Sequence, residues 1–205
     1  MYCTNCDCEY DGWSAKCPSC KQQLLDEKPK TFTPVNGHLD YDELVAWIVK
    51  QGNVTEFELA ANQVIRKKST RFPYMGFGYA WTQAMRGDKD NTHVELVTSE
   101  VGKDRETTFP YKGHGYGWQQ EMQGSIAGNQ LTLKATSVNR KKTWRFPYFG
   151  YGYAWTEQLQ GTCGDRIKVT LKASKVTRRS NWRFPYFGYG YAWVDKYQIK
   201  LEVMS

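Results

Sequence analysis

The residues best suited to chemistry stand at the front of the chain: Cys3, Cys6, Cys17 and Cys20, two Cys-x-x-Cys pairs ten residues apart. A turn of this kind offers two thiolates from one side, and two such turns can complete the tetrahedron of soft ligands that Zn2+ prefers. Five of the six cysteines fall between residues 3 and 20, and only Cys163 stands apart. Disulfide frameworks spread their cysteines over a fold, so this clustering points to metal ligation. Structural Zn2+ is preferred to a redox iron site because no cofactor motif follows. Cys8 is an extra thiol that the four-ligand pattern does not need.

The stretch from Cys3 to Cys20, closing on Trp13-Ser14-Ala15-Lys16-Cys17-Pro18-Ser19-Cys20, resembles the zinc-ribbon and rubredoxin-knuckle family. The resemblance covers residues 1–24 and implies a small zinc-holding unit. Ribbons of this family contact proteins or nucleic acids, so the knuckle does not choose a partner.

A second constellation recurs along the chain. The phrase Arg-Phe-Pro-Tyr-x-Gly-x-Gly-Tyr-Ala-Trp occupies 71–81, 145–155 and 183–193, with a degenerate copy at 108–118. Its leading phenylalanines, Phe72, Phe109, Phe146 and Phe184, are 37, 37 and 38 residues apart. The four phrases hold 21 of the 31 aromatic residues, and Lys or Arg stands just before each. Flat rings fringed by cations suit stacking on unpaired bases while phosphates are held, at roughly 1–3 kcal/mol per stacked base. The candidate contacts are Arg71, Tyr74 and Phe77 in the first copy and Tyr111 and His114 in the second. Arg145, Tyr148, Phe149 and Tyr151 follow in the third, and Arg183, Tyr186, Phe187 and Tyr189 in the fourth. Residues between the paired glycines vary, which marks them for exposure, and the glycines themselves are expected to supply positive φ in a tight loop. The competing reading is structural, with the rings plugging a barrel mouth.

Catalytic patterns are sparse. Glu157 and Asp195 hold equivalent places beside Trp155 and Trp193, where the other copies have Gln83 and Gln120. Two such carboxylates could do acid–base work, but equivalent polar positions in a repeat more often make hydrogen bonds. His38, His93 and His114 lack metal spacing, and no Gly-rich phosphate loop leads into a helix. The expectation is a protein that is not an enzyme.

The elements that position these residues follow from periodicity. Upstream of each phrase, Phe57/Val94/Leu131/Val169, Leu59/Leu96/Leu133/Leu171 and Ala61/Thr98/Ala135/Ala173 form rows two residues apart, the period of a strand with one buried face. The step to Val64/Val101/Val138/Val176 is three, which predicts a β-bulge in every copy. Thr55 and Glu58 also offer an apparent capping box, and a second helix there would suggest a helix-turn-helix, but residues 57–64 obey the repeat and read as strand. Alternation resumes after each Trp, and Gly or polar turns follow at 87–88, 128–129 and 164–165. Each copy is thus strand, aromatic loop, strand and turn. Four such hairpins predict a mainly β fold, an eight-stranded antiparallel barrel, with a four-bladed propeller as the alternative.

Ahead of the repeats, Asp40-Tyr41-Asp42-Glu43 opens one short helix through a capping box. Tyr41, Leu44, Val45 and Ile48 line one face and Gly52 ends it. The predicted organisation is a zinc ribbon at 1–24, a linker at 25–38, and a helix plus β domain at 39–205. Its repeats fall near 54–90, 91–127, 128–165 and 166–205.

Charge is uneven. Residues 1–62 carry five Lys and Arg against ten acids, and 63–205 carry 23 against 11. The basic part suits a polyanion. With no apolar run of membrane length and no signal-like start, a cytoplasmic, non-membrane protein is expected. The expected role is non-catalytic binding of single-stranded nucleic acid or a ribonucleoprotein. Alternatives are a self-assembling scaffold or protein-interaction module, with a protein partner or homo-oligomer, and carbohydrate binding.

Overall fold

The computed structural model describes residues 2–3, 8–9, 39–71, 75–90, 92–109, 112–145, 149–183 and 187–204. The chain divides into two units, Met1–Val35 and Asn36–Ser205. In the first, β1 (Tyr2–Cys3) pairs antiparallel with β2 (Cys8–Glu9), setting Cys3 opposite Cys8. Cys6, Cys17 and Cys20, three of the four expected zinc ligands, lie outside the described residues.

The second unit opens with α1 (Tyr41–Lys50). Asp40 caps it as expected: its carboxylate accepts from Glu43 N at 2.8 Å, and Glu43 Oε2 accepts from Asp40 N at 3.0 Å. Such a cap is worth about 1 kcal/mol. Gly52, at φ 87°, lets the chain turn away after the helix.

Eight strands follow: β3 (Val54–Arg71), β4 (Met75–Lys89), β5 (Thr92–Thr108), β6 (Lys112–Ile126), β7 (Asn129–Arg145), β8 (Phe149–Cys163), β9 (Ile167–Arg183) and β10 (Phe187–Val203). They close in the order β10-β3-β4-β5-β6-β7-β8-β9, an eight-stranded antiparallel barrel. The strand reading of 57–64 holds, and no second helix forms there. A register shift interrupts each hairpin where the spacing predicts a bulge: at Ala61–Val64, Thr98–Val101, Ala135–Val138 and Ala173–Val176.

The bulges divide the barrel into two regions. Below them every neighbour pairs, including the first and last strands from Val54↔Glu202 to Ala60↔Lys196. Leu59, Leu96, Leu133 and Leu171 are buried there with Met85, Met122, Leu159 and Tyr197. Full burial of each such side chain contributes about 1.5–3 kcal/mol. Helix α1 docks at this end through Leu44, Val45 and Ile48. The Tyr41 hydroxyl donates to Cys163 O at 3.1 Å and accepts from Arg166 N at 2.7 Å. Ala127 and Gly128 form the turn between β6 and β7, at φ 49° and 90°, and Gly164 turns at 62°. The first turn differs from expectation. Strand β4 runs through Gly87 and Asp88 to Lys89, and Asp90 takes the positive φ of 53°.

Above the bulges, pairing between hairpins stops: β4 and β5, for example, pair only from Lys89↔Thr92 to Ala84↔Val97. Each hairpin continues alone to its tip, at Arg71↔Met75, Thr108↔Lys112, Arg145↔Phe149 and Arg183↔Phe187. The strands resume after three residues at each tip, so the Gly-x-Gly-Tyr-Ala-Trp part of the predicted aromatic loop is strand. Among the described residues sheet hydrogen bonds do not join the four hairpins here, and side-chain packing must do so.

Candidate functional site

The Gly-x-Gly-Tyr-Ala-Trp run solves that packing problem. Because strand side chains alternate, Gly76, Gly78 and Ala80 face one way along β4, and Phe77, Tyr79 and Trp81 face the other. The small face of each hairpin seats on the ring face of the one before it. A methyl on Gly113 would stand 3.0 Å from the Phe77 ring, and one on Gly76 would stand 3.1 Å from the Tyr189 ring. Backbone also meets backbone: a methyl on Gly115 would stand 2.6 Å from Gly78 O, and one on Gly190 would stand 2.5 Å from Gly152 O. The paired glycines therefore serve close approach. The expectation of positive φ is corrected, since Gly52, Gly128 and Gly164 are the positive-φ glycines among the described residues.

The same packing decides where the predicted contact residues lie. Phe77 is 2 % exposed, His114 0 % and Tyr189 5 %, so the expected exposure between the glycines is corrected at these three. Tyr151 is the partly exposed member of that row. Its ring stacks on Tyr153 at 6.2 Å, and Tyr153 stacks on Trp155 at 6.3 Å. Arg71 is exposed at the tip of β3. Tyr74, Tyr111, Tyr148 and Tyr186 lie outside the described residues. For Arg145, Phe149, Arg183 and Phe187 the backbone alone is described, pairing Arg145 with Phe149 and Arg183 with Phe187. Phe109, at a hairpin tip, is 88 % exposed.

Cations cover the packed rings. Lys67 and Lys103 lie 5.6 and 5.4 Å from the Trp81 centroid, and Arg140 lies 4.6 Å from that of Trp118. Lys141 lies 5.9 Å from Trp155, and Arg66 and Arg179 lie 5.9 and 5.5 Å from Trp193. At exposed sites each contact contributes about 0.5–1 kcal/mol. Burial, with the Lys103 charge adding to it, pushes the Lys67 ammonium below its ordinary range. Burial and then the Glu106 carboxylate hold the Tyr116 hydroxyl neutral, raising its pKa to about 12.

These cations form a collar around the upper half. The stretches 64–82, 101–119, 138–156 and 176–194 together hold fourteen Lys and Arg and two acids, a local balance of +12. Both acids sit in the second copy and are committed: Asp104 Oδ2 accepts from Arg140 Nη1 at 2.8 Å, and Glu106 pairs with Lys142. Arg66, Lys68, Arg71, Arg105, Lys141, Arg178 and Arg179 are exposed. The basic run before each phrase was visible in the sequence. Its position over the Trp row was not, because covering residues come from neighbouring hairpins as well as from the same one.

The carboxylates weighed for acid–base work have structural partners. Trp155 Nε1 donates to Glu157 Oε2 at 3.0 Å and Trp193 Nε1 to Asp195 Oδ1 at 2.9 Å. Trp81 and Trp118 donate in the same way to Gln83 and Gln120, at 2.9 Å each. A four-fold repeated Trp-to-acceptor bond explains the alternation of Gln, Glu and Asp at this position. No family model, curated protein or solved structure matches the chain.

Proposed function

We propose that this is a non-catalytic binding protein whose cationic collar engages the phosphate backbone of single-stranded nucleic acid, free or within a ribonucleoprotein. The observation that supports this reading is the upper half's fourteen cations against two acids, both already ion-paired. Binding through the collar rests on phosphate contacts more than on base stacking, because most of the described rings of the phrases are packed between hairpins. Tyr151 and Tyr153 keep partial exposure and offer a stacking face on β8. Cys3, Cys6, Cys17 and Cys20 would hold Zn2+ as the scaffold of the small N-terminal unit.

Fluorescence anisotropy against labelled single-stranded RNA and DNA at two salt concentrations tests the reading. Micromolar or tighter binding is expected, with affinity falling steeply as salt rises. Six phosphate contacts would give a log–log slope of about −4. Binding should weaken in a folded Lys68→Gln/Arg71→Gln/Arg178→Gln variant. Absence of binding at low salt would reject the proposal. The 88 % exposed Phe109 ring favours a second reading, a protein-interaction or self-assembly surface at the hairpin tips. Concentration-dependent oligomers in sedimentation, without nucleic-acid affinity, would support that one.

A further inference from the structure

The four seams between hairpins are built alike but are not electrostatically alike. Lys103, Arg140 and Arg66 hold equivalent places, and each lies over the Trp of the preceding hairpin: Trp81, Trp118 and, across the closure, Trp193. The next position carries Lys67, Asp104, Lys141 and Arg179. In the second copy an acid stands there, so the seam between the second and third hairpins carries its own carboxylate on Arg140 at 2.8 Å. At the closing seam an arginine stands there instead. Arg66 and Arg179 share one indole, with centroid distances of 5.9 and 5.5 Å.

Asp195, two residues beyond Trp193, is otherwise engaged. Asp195 accepts from Trp193 Nε1 and from the Thr177 hydroxyl. Among the described residues neither Arg66 nor Arg179 has an ion-pair partner, and both are exposed. Sharing the Trp193 ring keeps the two guanidinium groups in one neighbourhood of the surface, where a bound anion can be approached by both. Their planar forks match phosphate oxygens in bidentate geometry. The Tyr191 hydroxyl is near enough to feel the Arg66 charge; burial and Tyr189 keep it protonated, so it remains a donor.

We infer that the closing seam is a phosphate subsite, in which Arg66 from the first repeat and Arg179 from the last clamp one phosphate of a linear phosphodiester. This rests on the nucleic-acid reading above and narrows it to one sector of the collar. The site exists only when the barrel closes, since the two arginines are 113 residues apart in the chain.

The test compares the full chain with Arg66→Gln/Arg179→Gln and with Arg140→Gln/Lys142→Gln, each checked for β circular dichroism. The second variant removes the same charge and uncovers two carboxylates, so an effect of net charge alone would strike it at least as hard. Affinities are measured for a labelled oligothymidylate 20-mer and for inorganic polyphosphate. The seam variant should bind both probes about ten- to a hundredfold more weakly. Its salt slope on the single strand should shrink by about 0.7, the share of one neutralised phosphate. The control should fall by much less. Equal losses in both variants would overturn the seam while leaving the nucleic-acid reading in place. Seam-dependent binding of polyphosphate without binding of the oligonucleotide would keep the seam and reject that reading. Binding of neither probe by the unmodified chain would reject both.

Discussion

Replacing Gly115 by alanine tests whether the hairpins are joined by backbone approach. The added methyl would stand 2.6 Å from Gly78 O and 2.8 Å from Gly78 N. A carbon and a carbonyl oxygen normally stay about 3.3–3.6 Å apart, so the two strands must separate by about 0.7–1 Å at that level. Neither partner is a side chain that can swing aside. Overpacking of this kind costs about 1–3 kcal/mol, and the rigid backbone pair places this case at the upper end. For a domain of this size 3 kcal/mol lowers Tm by about 6–12 °C. Gly117→Ala is the matched control, two residues along on the same face. Its methyl would meet the Tyr79 Cβ at 3.1 Å, and the equivalent residues Ala80, Ala154 and Ala192 already carry that methyl. It should cost less than about 1 kcal/mol, because stiffening the unfolded chain offsets part of the strain. Calorimetry and urea unfolding followed by tryptophan fluorescence give both numbers. A Gly115→Ala protein within about 1 kcal/mol of the unmodified one, or no worse than Gly117→Ala, would refute the close-approach account.

Further predictions concern pH and metal. Burial pushes the His93 pKa down, but its hydrogen bonds to Asp88 and Glu95 and their charges outweigh this and raise it overall. A group whose folded pKa is raised stabilises fully below its unfolded value, about 6.5, and loses that contribution as pH rises through the folded value. Urea unfolding between pH 5 and 9 should show this loss in the unmodified protein and not in His93→Gln; identical profiles would reject the assignment. For the N-terminal unit, mercurial titration with a colorimetric zinc indicator should release one Zn2+ per chain while the barrel's β circular dichroism persists. Release of iron, or of no metal, would count against the four-cysteine site.

Much of the fold was legible because its signals are local and repeated four times. The alternating rows ending at Leu59, Leu96, Leu133 and Leu171, the three-residue step at each bulge and the Asp40/Glu43 box need only neighbouring residues to be read. The candidate site was legible in composition and not in arrangement. Rings and cations announced themselves, yet rings such as Phe77, His114 and Tyr189 were expected outside and lie inside. A strand pattern specifies which residues share a face; it does not specify what that face meets when the sheet splits into separate hairpins. Gly76 and Gly113 read as loop glycines until the preceding hairpin's backbone and rings are placed against them. Likewise Arg66 and Arg179 belong to opposite ends of the repeat array; Arg179 shares a hairpin with Trp193, and only closure of the barrel brings Arg66 over the same ring. Spacing along the chain thus dictated the strands, bulges and inward rows. The burial of the aromatic phrase and the pairing of distant cations came from contacts between hairpins, because packing energy depends on shapes that meet only after the chain has closed on itself.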